Sequence, residues 1–298
     1  MLYAESLLVT FLWSTSFVLI KLGLSEISPF LFAAIRYSLA FSILGVVDLG
    51  LPRKTGKNGP LGRTSAVLLI AAGICGYTLA QGFQFLGLFF LPAITTSFLL
   101  NFTPIFVLIL GILVLHEKAS RLQVIGLAVA LAGAFTFFSE RLSLKGEQVG
   151  VLIVAIGGIA WAIYMIIIRR IQRANKLNSL RLTSITMGIG SAGLFTLAIL
   201  FEGLKPISLN AVIMILWLSI VNTAFAFFLW NHALKFIRPY ELSIIQSSML
   251  VQIAILAWFF LGEPLTSVML GGIVLVIIGV LLVQIPAIRT EKANPVKT

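Results

Sequence analysis

Charge is scarce in this chain. Only 10% of its 298 residues are Asp, Glu, Lys or Arg, where a soluble domain carries about 25%. So few charges cannot coat a soluble fold of this length. The same scarcity, joined to 59% hydrophobic residues, excludes intrinsic disorder, whose signature is low hydrophobicity with high charge. Cysteine is nearly absent. Cys75 stands alone, which excludes an intrachain disulfide and any cysteine-based metal cluster. The zinc-protease motif is missing, because His116-Glu117 is followed by Lys118-Ala119-Ser120 and not by a second histidine four places on. A serine protease would need Ser and His together, yet Ser191 falls mid-stretch while His116 and His232 fall at the ends of apolar stretches. No paired carboxylates occur within an apolar stretch. The chain is therefore not expected to be an enzyme, and no metal or cofactor is expected. A channel, which would show rings of charge or a carbonyl-rich filter, is also disfavoured.

What is abundant is apolar sequence, with a mean hydropathy of +1.09. A membrane-spanning helix needs about 20 mostly apolar residues. Ten such stretches lie near residues 5–22, 30–47, 66–90, 93–115, 121–138, 148–168, 181–201, 209–230, 239–261 and 267–285. Barrel strands would be about half as long and would alternate polar with apolar, so these spans are helices. The first lacks a basic stretch before it and a small-residue cleavage site after it, and so reads as a retained span. Connections are short. The longest, Asp48 to Ser65, carries Pro52, Gly56, Gly59 and Pro60 and reads as a turn-rich surface segment. The tail after Ile285 is short and polar.

The formal net charge of +11 first has to be read as a topology signal, because cytoplasmic loops collect Lys and Arg. With the N-terminus in the cytoplasm, the inside segments hold Arg53, Lys54, Lys57 and Arg63, then Lys118 and Arg121, and then Arg169, Arg170, Arg173, Lys176 and Arg181. They end with Lys235 and Arg238, and with Arg289, Lys292 and Lys297. The outside segments hold only Lys21, Arg141, Lys145 and Lys205, and Arg36 falls inside a span. This asymmetry places both termini in the cytoplasm of a multi-pass protein of the cytoplasmic (inner) membrane. It accounts for the charge without nucleic acid, whose basic-aromatic footprint is missing.

The chain repeats itself at an offset of 146 residues. Leu88-x-Phe90 falls on Leu234-x-Phe236, Ser97 on Ser243, and Leu115-x-Glu117 on Leu261-x-Glu263. Gly126 falls on Gly272 and Gly133 on Gly279. The shared carboxylate and glycines point to a duplication, with residues 1–145 as one five-span repeat and 146–298 as the other. An odd number of spans per repeat forces the second to enter the membrane from the opposite side. The expected fold is all-α and transmembrane: a ten-helix bundle of two inverted-topology repeats, the arrangement by which transporters rock about a midplane site.

Polar side chains within a span face protein or water. Tyr77, Gln81 and Gln84 share one face of span three. Ser97 and Asn101 lie one turn apart in span four, Ser248 and Gln252 likewise in span nine near Gln246, and Asn222 and Thr223 lie in span eight. Such residues also simply join helices, but as a set they favour a polar-lined path. Trp13, Tyr77, Trp161, Tyr164 and Trp230 are half of the chain's ten Trp and Tyr. They suit a pocket lining or helix packing, with Trp230, near a span end, reading as an interfacial anchor. Pro104 should kink or loosen span four beside Asn101. Arg36 could attract a substrate carboxylate, snorkel outward or bond the carbonyls of a neighbouring helix. Glu117 and Glu263 sit at span ends, so no intramembrane acid marks a proton relay. Gly126 with Gly133, and Gly272 with Gly279, give spans five and ten small-residue faces that could join two subunits in a homodimer.

The fragments Trp13-Ser14-Thr15-Ser16-Phe17-Val18, Pro29 with Ala34-Ile35-Arg36-Tyr37, Thr103-Pro104-Ile105-Phe106 leading to Leu113-Val114-Leu115-His116-Glu117, Ile159-Ala160-Trp161-Ala162-Ile163-Tyr164, and Leu261-Gly262-Glu263 stand in order along the ten spans. In this order and spacing the chain resembles the drug/metabolite transporter superfamily, specifically its EamA-type members. It departs from them at Leu250, which takes the place matching Pro104 where a proline is common, so the two halves need not bend alike. The resemblance implies a structural role for Arg36 and a central cavity enclosed by spans one, three, four, six, eight and nine. It implies a transporter of small metabolites working by alternating access, expected to export amino acids or related compounds. A sugar- or nucleotide-linked substrate is the alternative, weakened by the lack of a basic cluster. The expected substrate-contacting residues are Trp13, Tyr77, Gln81, Gln84, Asn101, Trp161, Tyr164, Asn222 and Gln252. Arg36, Pro104, Glu117 and Glu263 are expected to be structural or gating. The expected partners are a small-molecule substrate and the lipid bilayer.

Overall fold

The structure, a computed structural model, describes residues 2–50, 63–103, 106–107, 110, 113–114, 120–139, 148–173, 177–204, 207–262 and 266–293. Pro104, His116, Glu117 and Glu263, the loop prolines and glycines at 52–60, and the last residues of the tail lie outside them. Within the described residues every regular element is helical and no strand occurs. This follows from the solvent: lipid offers no partner for a backbone N–H or C=O, and a helix satisfies both internally.

Six segments are continuous: α1 (Leu2–Gly23), α2 (Pro29–Gly50), α5 (Arg121–Phe138), α6 (Gln148–Arg173), α7 (Ser179–Phe201) and α10 (Ser267–Ala293). Four carry interruptions. The third, α3, runs Arg63–Gly73, then a π-helical stretch Ile74–Gln81, then Gly82–Phe90. The eighth, α8, runs Leu209–Trp217, π-helical Leu218–Phe225 and Ala226–Phe236. The fourth, α4, opens as Ala93–Leu100, and α9 divides into Pro239–Ser247 and Met249–Leu261. Seven of the segments are long and apolar enough to cross a membrane, and Arg121–Phe137 and Ser267–Gly279 are shorter apolar helices. With α4 they make the ten-helix bundle. Its outer surface is apolar where Val46, Leu49, Leu200, Phe201 and Phe259 are exposed, a surface suited to lipid.

Helix ends follow local chemistry. Pro92 and Pro239 stand at the starts of α4 and α9, where a missing N–H costs nothing. The Asn178 side chain accepts from the Arg181 N–H at 2.7 Å, and Ser120 with Gln123 forms a capping box on α5. Gly203 and Gly262 adopt positive φ (72° and 67°) where α7 and α9 stop.

The packing is pairwise and repeat-related. The α5–α10 pairing is the most extensive, and α3–α6 and α2–α7 come next. Helices α1 and α6 are exchanged: α1 packs on α8 and α9, and α6 on α3 and α4. The glycine faces correct the homodimer expectation, because α5 and α10 use them on each other. A Cβ on Gly272 would lie 2.5 Å from the Gly133 carbonyl oxygen, and one on Gly279 would lie 2.6 Å from that of Gly126. The close approach that small residues permit is thus spent within one chain.

The basic residues at two helix ends obey the same symmetry. Lys21 Nζ donates to the carbonyls of Leu88 (2.7 Å) and Leu91 (2.9 Å). Arg169 Nη1 donates to the carbonyls of Leu234 (2.6 Å) and Lys235 (2.5 Å). Each cation covers the C-terminal end of the π-containing helix, α3 or α8, where the helix dipole is negative. Lys21 is therefore a helix cap as well as an outlying charge. Glu202 does the converse, accepting from the Phe30 and Leu31 N–H groups, each at 2.9 Å, at the start of α2. At the other end of the bundle Glu5 lies 3.2 Å from His232, and Glu241 accepts from Gln123 (2.7 Å) and Arg238 (2.9 Å through Nε).

Candidate functional site

A cavity open to solvent in part lies between α1, α2, α3, α4, α6, α8 and α9. It includes the six helices expected around it and adds α2, through Arg36 and Tyr37. Much of its wall consists of residues that match across the repeat. Ser97 and Ser243, Leu100 and Gln246, Asn101 and Ser247, Thr103 and Met249, and Gln81 and Phe227 all line it. Each pair is separated by the 146-residue offset, so the cavity lies on the axis relating the two halves.

Both α4 and α9 break at this wall. At Asn101 the backbone N–H reaches the Phe98 carbonyl at 2.9 Å, and Phe102 N–H reaches that of Leu99 at 3.2 Å. At Ser248 the N–H reaches the Ile245 carbonyl at 3.0 Å. These one-residue-shorter bonds tighten the helix locally. The shortened bonds fall at matching positions in the two halves, Phe102 and Ser248, and in α9 they form with Leu250 where a proline is common in the family.

Five of the expected residues, Trp13, Gln81, Gln84, Asn101 and Trp161, line the cavity, as does Arg36. Gln81 Oε1 accepts from Tyr37 OH at 2.7 Å. Trp161 Nε1 donates to Gln246 Oε1 at 3.0 Å, joining α6 to α9. Asn101 Nδ2 donates to the Ser97 carbonyl at 2.8 Å. Its Oδ1 has no hydrogen-bond partner, and neither do Thr103 Oγ1 and Trp13 Nε1. Buried polar atoms are usually satisfied; these three belong to lining residues, while Asn222 Oδ1 and Trp230 Nε1 are unmet off the lining.

The other four expected residues lie off the lining, bonded between helices. Tyr77 OH lies 3.1 Å from Tyr164 OH, which donates to Asn231 Oδ1 at 3.0 Å. Asn222 Nδ2 donates to the Leu12 carbonyl (2.5 Å) and to Thr15 Oγ1 (2.9 Å). Gln252 accepts from Ser14 Oγ at 2.9 Å and donates to Thr10 Oγ1 at 3.3 Å, joining α9 to α1. In the low dielectric of the bilayer an interhelical bond is as good a use for an amide as a ligand contact.

Aromatic rings close one side of the cavity. Trp13 lies 5.8 Å from Trp161, 5.0 Å from Phe227 and 4.9 Å from Trp230 between ring centroids. Tyr77 joins them through Phe227 at 5.1 Å. Trp230 is fully buried, which corrects its reading as an interfacial anchor.

Arg36 is 2% exposed. Its Nε donates to Thr223 Oγ1 at 2.5 Å, and Nη2 lies 3.3 Å from both Ser16 Oγ and the Asn222 carbonyl. It does not snorkel. Two of these acceptors belong to the π-helical stretch of α8, whose wider turn also lets Thr223 Oγ1 donate back to the Leu218 carbonyl five residues earlier, at 2.8 Å. The matching stretch of α3 packs so tightly on α6 that a Cβ at Gly76 would fall 2.2 Å from the Tyr164 ring. Neither stretch is visible in an apolar sequence, because π turns have no composition of their own; glycine and polar residues at mid-span were the only hint. The lining residues Ser16, Tyr37, Thr103 and Ser247 were also missed, although shifting Asn101 by the repeat offset points to Ser247.

The EamA-like transporter family model matches residues 2–139 and 148–285. An "Uncharacterized transporter" of Archaeoglobus fulgidus is 28% identical, over 90% of this chain and 92% of its own length. A "Probable amino-acid metabolite efflux pump" of Salmonella typhimurium is 27% identical, over 92% and 91%. A solved structure 18% identical in sequence superposes with a TM-score of 0.79 over 96% of this chain and 98% of its own, a likeness of fold. With its helices, its repeat and both halves matched, the chain belongs to the EamA-like transporter family.

Proposed function

We propose that this transporter moves small polar metabolites, amino acids or related compounds, out of the cell across the cytoplasmic membrane by alternating access, with both termini in the cytoplasm. The observation that carries the reading is the cavity on the repeat axis, walled by the matched breaks of α4 and α9 and holding unmet polar atoms of Trp13, Asn101 and Thr103. A site on that axis can be offered to either face as the halves rock. The aromatic side excludes water while the few polar groups orient a ligand. A single lining cation among the described residues is poorly suited to phosphates, which favours an amino acid over a nucleotide-linked sugar. Support also comes from the Salmonella relative named as a probable amino-acid metabolite efflux pump.

Metabolite profiling of medium from overexpressing and deleted cells tests this reading. An amino acid or derivative accumulating outside with expression is expected; no difference for any amino acid would contradict it. Orientation is tested by labelling single cysteines in a Cys75→Ala background. Lys57→Cys and Asn175→Cys should label from the cytoplasm, and Glu117→Cys and Glu263→Cys from opposite sides.

A further inference from the structure

We propose that Arg36 is the anion receptor of the cavity, so that the transported molecule must carry one carboxylate, which meets the unbonded Nη1 edge of the guanidinium. The inference rests on the cavity being the substrate site and deepens that reading.

Arg36 is almost fully buried and lines the cavity. A buried charge normally has an opposite charge beside it. The partners of Arg36 are all uncharged: the Thr223 and Ser16 hydroxyls and the Asn222 carbonyl, with the Tyr37 and Phe85 rings 5.5 and 5.8 Å from the guanidinium carbon. Among the described residues, no lining residue is acidic. The described carboxylates of Glu5, Glu26, Asp48, Glu202 and Glu241 all stand at or near helix ends.

A guanidinium has five N–H donors in a planar fork. Nε and Nη2 are engaged, which fixes the plane of the fork and leaves the two Nη1 donors without a bond among the described residues. This is a preorganised charge lacking only its anion. The binding wall also offers unmet acceptors, Asn101 Oδ1 and Thr103 Oγ1, which suit donors elsewhere on the molecule. Trp13, Trp161 and Phe227 suit an apolar body. One cation without a second beside it fits one carboxylate and not a polyphosphate.

The test is binding to the purified full-length protein, read by intrinsic tryptophan fluorescence, to which the lining Trp13 and Trp161 contribute, with acid and amide forms of the same body. The pairs are L-leucine with L-leucinamide, L-phenylalanine with L-phenylalaninamide, and 4-methylpentanoate with 4-methylpentanamide. The acid should bind at least about tenfold tighter in a pair, as expected for a charge-assisted bond. Arg36→Gln should reduce that ratio to about two or less by removing the charge. Arg36→Lys, which keeps the charge but loses the planar fork, should lower the ratio at least about threefold and serves where Arg36→Gln does not fold. Equal binding of acid and amide by the wild type, no binding of any acid, or an unchanged ratio in whichever variant folds overturns the proposal. Tight binding of 4-methylpentanoate without either amino acid would leave Arg36 as the receptor and remove the amino-acid reading. Amino acids bound no better than their amides would do the reverse.

Discussion

The two π-helical stretches, Ile74–Gln81 in α3 and Leu218–Phe225 in α8, are the same device in opposite repeats, filled with different chemistry. Tyr77 and Thr223 occupy matching positions. Tyr77 meets Tyr164 in a neutral chain of bonds that runs through Asn231 to Thr183. Thr223 meets the guanidinium of Arg36. Duplication kept the backbone distortion and let the side chains diverge. One π-helical stretch is therefore tied by hydroxyls and an amide, the other by a buried charge. Gln81 and Phe227, matched across the repeat and both on the lining, differ in the same way, one polar and one apolar.

Where the repeats remain alike, matched substitutions should have matched effects. Gly133→Leu and Gly272→Leu each push a side chain into the partner backbone and should each cost about 3 kcal/mol by overpacking, read as a fall in thermal stability in detergent. A large effect from only one would break the symmetry of the α5–α10 contact. Where the repeats differ, effects should differ. Thr223→Val removes the acceptor of Arg36 Nε and should cost about 2 kcal/mol, as for a hydrogen bond to a charged group. Tyr77→Phe leaves Tyr164 its bond to Asn231 and should cost less than about 1 kcal/mol, in the range of neutral interhelical bonds. Equal losses would erase the distinction between the two stretches.

The number of spans, the repeat and its 146-residue offset were legible because hydropathy and register survive in the sequence. So were Gln81, Asn101 and Trp161 on the cavity wall, since a polar or amphipathic residue at mid-span must face protein or water. That argument cannot tell protein from water. Gln252 and Asn222 satisfy it by bonding α1, and Tyr77 by bonding Tyr164, so they lie off the lining. The glycine pattern of spans five and ten correctly announced a close contact, but period alone does not say whether the second surface belongs to the same chain. Arg36 was read as structural, and its bonds to Thr223, Ser16 and Asn222 are of that kind. Its open Nη1 edge could be seen only once those three were in place.

The most direct test of the cavity as the substrate site is counterflow of radiolabelled amino acid in proteoliposomes, comparing wild type with Asn101→Ala and Tyr77→Phe at equal protein and with thermal stability measured alongside. Asn101→Ala removes a lining amide whose Oδ1 is unmet, so saturable counterflow should fall at least about tenfold, the worth of a lost ligand bond, with stability near wild type. Tyr77→Phe, off the lining, should retain counterflow. Normal counterflow by Asn101→Ala, or loss only through misfolding, would contradict the account.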